Sequence, residues 1–292
     1  MPILTIHHKT EYRYARPVAF GEHRVMLRPR DGHDLRVLGE ALVIEPKPAS
    51  VQWIRDVFGN TVGIVKFNGH ADRLVFDSKV KVDHRPTRGL KLSPEEYASL
   101  HPFAYDEEEV PDLERSIRRS FEDPDRKIEL WARQFVDRSG QTRTEDLLAD
   151  MTHAIKRDFV YRRRHAAGVQ HPLDTLRTGM GSCRDFAVFM MEAARSLGYA
   201  ARFVSGYLHV RGSNHDRVGG GSTHAWVQIY LPSAGWVEFD PTNGIVGNTD
   251  LIRVAIAREP RQAIPLWGSY TGSPSDHLEM KVNIRVVSEA GA

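Results

Sequence analysis

The residues that could do chemistry in this chain gather in three short runs. Gly179-Met180-Gly181-Ser182-Cys183-Arg184-Asp185 holds the single cysteine, Thr223-His224-Ala225-Trp226 follows a run of glycines, and Trp236-Val237-Glu238-Phe239-Asp240-Pro241 carries an aspartate before proline. A thiol attacks as thiolate. It needs a base to take its proton and a third group to orient that base. Cys183, His224 and Asp240 offer these three roles in chain order.

Each run is placed where its role can be performed. A helix should start at Ser182 or Cys183, bury Phe186, Phe189, Met190, Ala193 and Leu197, and stop at Gly198. A thiol at a helix start meets the positive end of the dipole and the unpaired N–H groups of the first turn. Both favour thiolate, and the same N–H groups could hold an oxyanion. The glycines before Cys183 allow a tight turn and the approach of a ligand to the backbone. Strands Ala225 to Leu231 and Gly235 to Asp240, turning near Pro232 to Gly235, should bring His224 beside Asp240, with Pro241 keeping Asp240 extended. Taken singly, each residue has a plainer use: a buried apolar thiol, a surface histidine, a turn-starting aspartate. Their common order favours the chemical use.

The surrounding elements follow from periodicity. Ile128, Trp131 and Phe135, then Leu147, Leu148, Met151, Ile155 and Phe159, recur at helical spacing; strands begin again at Arg202 to Leu208. Helices followed by strands indicate an α+β domain. From Met1 to about Val82 the period is two: Leu74, Phe76, Val80 and Val82 share one parity, and Asp77, Lys79 and Lys81 the other. Turn residues at Arg30-Asp31-Gly32, Gly59-Asn60 and Asn68-Gly69 divide this part into short antiparallel strands. The expected division is a β-rich N-terminal domain over 1–83, a linker over 84–124 and a catalytic core over 125–250. A C-terminal extension over 251–292 ends in the alternating strand Leu278 to Val286, whose partner sheet the sequence does not decide. The acidic run Glu107-Glu108-Glu109 in the linker is expected to be a solvated patch.

Gly-Ser-Cys-Arg-Asp-Phe-Ala at 181–187, Ser-Gly-Tyr at 205–207, Thr-His-Ala-Trp at 223–226 and Gly-Trp-Val-Glu-Phe-Asp-Pro-Thr-Asn at 235–243 resemble the bacterial transglutaminase-like proteins. So do Phe20-Gly21-Glu22-His23, Leu27-Arg28-Pro29-Arg30 and Asp56-Val57-Phe58-Gly59-Asn60 near the N-terminus, and Arg253-Val254-Ala255 and Pro265 to Gly272 near the end. The resemblance implies a papain-like α+β core behind an N-terminal antiparallel β domain. It also implies thiol attack on a peptide, isopeptide or glutamine-type amide through a Cys183–His224–Asp240 triad. The acyl-enzyme then goes to water (a cysteine peptidase or amidase) or to an amine (transglutaminase-type transfer). Water is the expected acceptor, because transfer requires a site that excludes it. A peptide-binding module without turnover is the reading from another class, and the intact triad argues against it.

By the same resemblance a second oxyanion donor lies upstream of the cysteine helix, where Tyr161 fits; packing beneath the helix is its other use. Trp226 could wall the acyl site or fill the core. Arg184 stands where the resemblance leads one to expect glutamine, and Ala257 where one expects glycine; Arg184 could alter substrate preference. Arg162, Arg163, Arg164 and His165 form a basic cluster before the cysteine turn, either a solvated face or a holder for a carboxylate-bearing peptide. Asp185 is expected to cap the first turn. The loop from Arg211 to Ser222, rich in glycine and poor in apolar residues, is expected to be mobile and to gate the cleft.

Composition adds no further partner to the peptide or protein amide that the resemblance implies. Lys plus Arg (40) nearly balances Asp plus Glu (38), which gives no cause to expect nucleic acid or membrane. No run of about 18 apolar residues is present. The start of the chain alternates without the apolar core of a signal peptide, and one cysteine forms no internal disulfide; together these favour the cytoplasm. The histidines are scattered, no calcium loop or phosphate-binding glycine motif appears, and no metal or cofactor is expected. Oligomeric state is not legible.

Overall fold

One strand of 23 residues, β1 (Ile3–Val25), is the spine of the N-terminal region. The computed structural model describes residues 3–86, 95–137, 141–164, 168–210, 218 and 221–289. β2 (Leu35–Glu45), β3 (Ser50–Arg55), β4 (Thr61–Lys66) and β5 (His70–His84) join β1 in the antiparallel order β2-β5-β1-β4-β3. The period of two is visible in the burial: Leu4, Ile6, His8 and Thr10 of β1 face inward, as do Leu74, Phe76, Val80 and Val82 of β5. Short strands were expected here. A shifted register between Arg13 and Val18 instead lets β1 stay continuous through its bend.

Among the described residues the middle of the chain supplies five helices: α1 (Val110–Ile117), α2 (Lys127–Arg133), α3 (Thr144–Asp158), α4 (Pro172–Thr178) and α5 (Cys183–Ser196). α2, α3 and α5 follow the expected stripes. α1 and α4 lie outside the stripes read from the sequence, though each has proline in its first turn and Gly179 closes α4 in the left-handed conformation at φ 60°. Four strands then form the core sheet: β6 (Ala201–Leu208), β7 (His224–Leu231), β8 (Gly235–Asp240) and β9 (Leu251–Ala257), in the order β8-β7-β6-β9 with Ile245–Val246 outside β8. Helix α5 packs on β6 and β7 and is itself flanked by α2, α3 and α4.

The chain then returns to its beginning. β10 (Leu266–Thr271) and β11 (His277–Ser288) both pair with β1, on the edge that β5 leaves free. The boundary expected at residue 250 is therefore corrected. Leu251–Ala257 completes the core sheet against β6, and only the two last strands lie outside it, in the N-terminal sheet. Alternation alone fixes a strand's two faces and not its neighbour. The stretch expected as a linker wraps the core: the Tyr105 hydroxyl donates to the Tyr230 carbonyl (3.0 Å), and Tyr230 donates its own hydroxyl to Glu109. At least that member of the acidic run is not solvated.

Two kinds of contact lock the sheets together. One apolar cluster runs from Leu4, Ile6, Val80 and Val82 into Phe186, Phe189 and Val227 of the core. Beside it the Asn60 amide treats Ile256 as a strand neighbour, donating to its carbonyl (2.7 Å) and accepting from its N–H (2.9 Å). Asp56 orients Asn60 by accepting from its backbone N–H and side-chain amide. Arg253 adds a half-buried bridge from Asp34 (2.5 Å) to Glu238 (2.6 Å).

Candidate active site

Cys183 is the first residue of α5, and the turn before it is built by two different glycines. Gly179 needs its positive φ, whereas a Cβ on Gly181 would sit 2.9 Å from Cβ of Asp185 and 3.1 Å from the Phe186 ring. The second glycine serves close packing of the helix start rather than ligand approach. Residues Met180–Gly181 pair in parallel with Val160–Tyr161, which sets Tyr161 beside the cysteine turn.

Asp185 does more than cap. Fully buried, it accepts from the Ser182 N–H (2.8 Å) and hydroxyl (2.7 Å), from the Gln170 N–H (2.6 Å) and from Arg164 Nε (2.8 Å). Burial pushes its carboxyl up, but Arg164, Gln170 and Ser182 together hold it below the usual carboxylate range. The cysteine turn, the segment that leads into α4 and the arginine cluster are thus tied through one carboxylate.

His224 opens β7 and Asp240 closes β8. Because Val227 pairs with Phe239, Asp240 falls diagonally across from His224, and His224 Nε2 meets Asp240 Oδ2 at 2.8 Å. His224 is 1% exposed, Asp240 0% and Cys183 7%. Asn243, just past the turn, donates to the same Asp240 oxygen (2.8 Å) and lies 3.3 Å from His224 Nε2. Asp240 Oδ1 accepts from the N–H groups of Thr242 (2.9 Å) and Asn243 (3.3 Å). Burial alone would lower the histidine pKa. The charge and hydrogen bond of Asp240, followed by Cys183, outweigh it and push His224 up to about 10. The same contact acts on Asp240 from the other side: burial raises it, and His224, Asn243 and Thr242 hold it down. With Nε2 committed to Asp240, the buried Nδ1 has no partner in hydrogen-bond geometry, and the thiol of Cys183 is close enough to favour the protonated ring.

Cys183 and His224 open into a cleft of about 680 Å³ that Tyr161 and Arg184 also line. Of the two uses open to Trp226 the structure shows the core one: it is fully buried, stacks on the His224 ring at 5.9 Å and fills the cluster of Val204, Leu208 and Ile256, away from the cleft lining. Trp236 likewise lies outside the lining, with the Arg202 guanidinium 3.8 Å over its ring. Sequence reasoning assigned no role to Asn243 or Gly206, although both lie in the runs that carry the resemblance. It also missed Met280 and Val282, which come from β11 to form part of the wall. The expected gate over 211–222 lies outside the described residues except at 218, 221 and 222. There the Val218 N–H donates to Asn243 (2.8 Å), and the Gly221 carbonyl accepts from Ile284 of β11 (3.3 Å).

A cysteine at a helix start beside a histidine–aspartate pair on the adjoining sheet is the papain-like arrangement of an α+β domain. Residues 131–241 match the transglutaminase-like superfamily and residues 4–83 the bacterial transglutaminase-like N-terminal region. An uncharacterized protein of Mycobacterium tuberculosis is 29% identical over 297 residues, spanning 95% of this chain and 90% of that one. One from Mycobacterium leprae is 36% identical over 124 residues, 41% of either chain. The crystal structure of a candidate cysteine protease from Cytophaga hutchinsonii has a TM-score of 0.72 at 17% identity, covering 100% of this chain and 92% of its own, a likeness of fold. No helix among the described residues is long and apolar enough to cross a membrane.

Proposed function

We propose that the protein is a thiol acyl-transfer enzyme that cleaves an amide of a peptide or protein through Cys183, His224 and Asp240, with water as the usual acceptor. The observation that carries the reading is the buried His224–Asp240 contact at 2.8 Å, with the free ring nitrogen next to a thiol on a helix start. A histidine whose pKa is pushed up to about 10 beside Asp240 can hold a proton next to the sulfur and deliver it to the leaving amine.

In the first half-reaction Cys183 Sγ adds to the amide carbonyl. The oxyanion would be met by the Cys183 N–H in the first turn of α5, with Tyr161 as the second donor by family resemblance. Collapse expels the amine, which takes the proton from His224 Nδ1, and leaves a thioester on Cys183. A water then adds to the thioester, giving its proton to Nδ1, and the carboxylic acid leaves as the thiolate returns. Asp240 holds the ring so that Nδ1, and not Nε2, faces the sulfur. The lone thiol agrees with a cytoplasmic setting.

The test is intact-mass detection of an acyl adduct when the protein meets a panel of peptide, isopeptide and glutamine-amide substrates, with and without an added primary amine. An adduct on the native protein that is missing from Cys183→Ala, and acid as the main product when amine is present, is the expected result. Amine-capped product would make transfer the activity. Cleavage that persists in Cys183→Ala would remove the reading.

A further inference from the structure

The cleft carries charge that the attack on an amide does not need. Arg163, Arg164, Arg184, Glu259 and Arg261 line it. Two of these arginines are already matched, Arg164 by Asp185 (2.8 Å) and Arg261 by Glu259 (2.8 Å). Glu259 is shared further with Arg258 at 3.4 Å. Arg163 and Arg184 have no carboxylate within ion-pair distance among the described residues, and both are open to the cleft.

Their position is fixed by what they act on. The Tyr161 hydroxyl is held above its ordinary value by burial and then by Cys183, while Arg163 and Arg184 pull the other way. Both guanidinium groups therefore stand within electrostatic reach of the Tyr161 hydroxyl, and Arg184 directly follows Cys183 in the chain. The first turn of α5 adds its own partial positive charge there. The lining also has apolar members, Ile264 and Pro265 and, from the returning strand β11, Met280 and Val282. Met280 is 53% exposed, an uncovered apolar side chain at the mouth of a charged site.

We infer that the cleft selects an acyl donor bearing a carboxylate close to the scissile amide, with Arg163 and Arg184 pairing that carboxylate and Met280 and Val282 receiving an apolar neighbour. This rests on Cys183 being the nucleophile of the proposed reaction. A guanidinium is suited to the task because its planar fork binds carboxylate through two hydrogen bonds, and a partly enclosed cleft screens the pair less than open water does. Arg184 directly follows the proposed nucleophile in the chain, so its charge is carried on the first turn of α5 next to the sulfur.

The test reads the charge at the sulfur without requiring turnover. Iodoacetate and iodoacetamide are close in size and share a leaving group; one is an anion and the other neutral. Their rates on Cys183 are compared in the full chain at low salt. The ratio of iodoacetate to iodoacetamide should fall about tenfold in R163Q/R184Q and return in R163K/R184K, which keeps the charges, and added salt should narrow the difference. A ratio unchanged in R163Q/R184Q overturns the inference. A second arm uses peptide pairs differing only in Glu or Gln beside the cleaved amide. A higher kcat/KM for the Glu member, lost in R163Q/R184Q, is expected. Equal rates on the pair in the native protein overturn the selection and leave the amide chemistry standing. A shifted alkylation ratio with no peptide cleaved supports the anion selection and counts against the amide reading.

Discussion

Gly206 lies directly across from His224 in the ladder between β6 and β7, and the space for a side chain there is already taken. A Cβ on Gly206 would stand 2.1 Å from the Ile252 carbonyl oxygen and 2.7 Å from the Trp226 ring. The shifted register of β6 against β9 at Ser205 and Gly206 is what brings that carbonyl in. Trp226, in turn, supports the His224 ring by stacking on it. The glycine therefore leaves the room in which Trp226 lies against the His224 ring, although it does not itself line the cleft.

Gly206→Ala is expected to cost about 1–3 kcal/mol or more, because the obstruction is backbone and cannot swing aside. Thermal unfolding should shift down. In the folded fraction the iodoacetamide rate of Cys183 should change too, since Trp226 and His224 must move. A variant with native melting temperature and native labelling would show that β6 and β9 part freely at this point.

Asn60→Leu separates the docking of the N-terminal region from the packing of its sheet. The substitution leaves the Ile256 N–H and carbonyl buried without their partner, at about 1–3 kcal/mol for each group. Asn60→Asp should fail as well, because a carboxylate accepts from the N–H but has no donor for the carbonyl. Denaturant unfolding of the two variants checks this, with an unaltered midpoint in both as the contrary result.

Much of this was legible in the chain, for identifiable reasons. The cysteine turn, His224 and Asp240 are each fixed by local rules: a glycine turn and helix start, a strand mouth, and a residue before proline. The strands β7 and β8 are neighbours in sequence and so neighbours in space. What stayed hidden depends on long-range pairing. Met280 and Val282 reach the cleft only because β11 pairs with β1 from the far end of the chain, and alternation carries no record of a partner. Asn60 and Arg253 belong to quoted runs, yet their use as clamps needs both sheets present. Trp226 was undecided between cleft and core, since a large apolar ring suits either; its parity on β7 sends it into a cluster behind the histidine.

Asp240→Asn should fold and yet lose activity, because the surrounding donors dictate how the new amide points. Oδ1 accepts two backbone N–H groups, from Thr242 and Asn243, so the amide oxygen must take that place. The amide NH2 is then left facing His224 Nε2, which must become an acceptor and carry its proton on Nδ1 instead. The imidazole can no longer take a proton from the thiol. Turnover of any substrate found should fall by about three to four orders of magnitude, with circular dichroism unchanged. Turnover within a few-fold of native in a folded variant would remove Asp240 from the mechanism.

The last expectation concerns the charge on His224. Its folded pKa, about 10, lies above the ordinary value of 6.5, and after burial, which opposes the shift, the causes are Asp240 first and Cys183 second. A group raised in this way stabilises the fold fully below about pH 6.5. Between 6.5 and 10 the folded state keeps a proton that the unfolded chain releases, so this contribution shrinks as pH rises and is gone above 10. Cys183→Ala removes the second cause and keeps the first. The His224 ring in that variant should therefore titrate below its native value and still above 6.5, and the stability lost over the alkaline range should be smaller. Imidazole chemical shifts followed against pH, with chemical denaturation at pH 6, 8 and 10, measure both quantities on the same two proteins. A His224 that titrates at one pH with and without the thiol would mean that Asp240 alone sets its charge, and that Cys183 and His224 do not form a coupled pair in the resting protein.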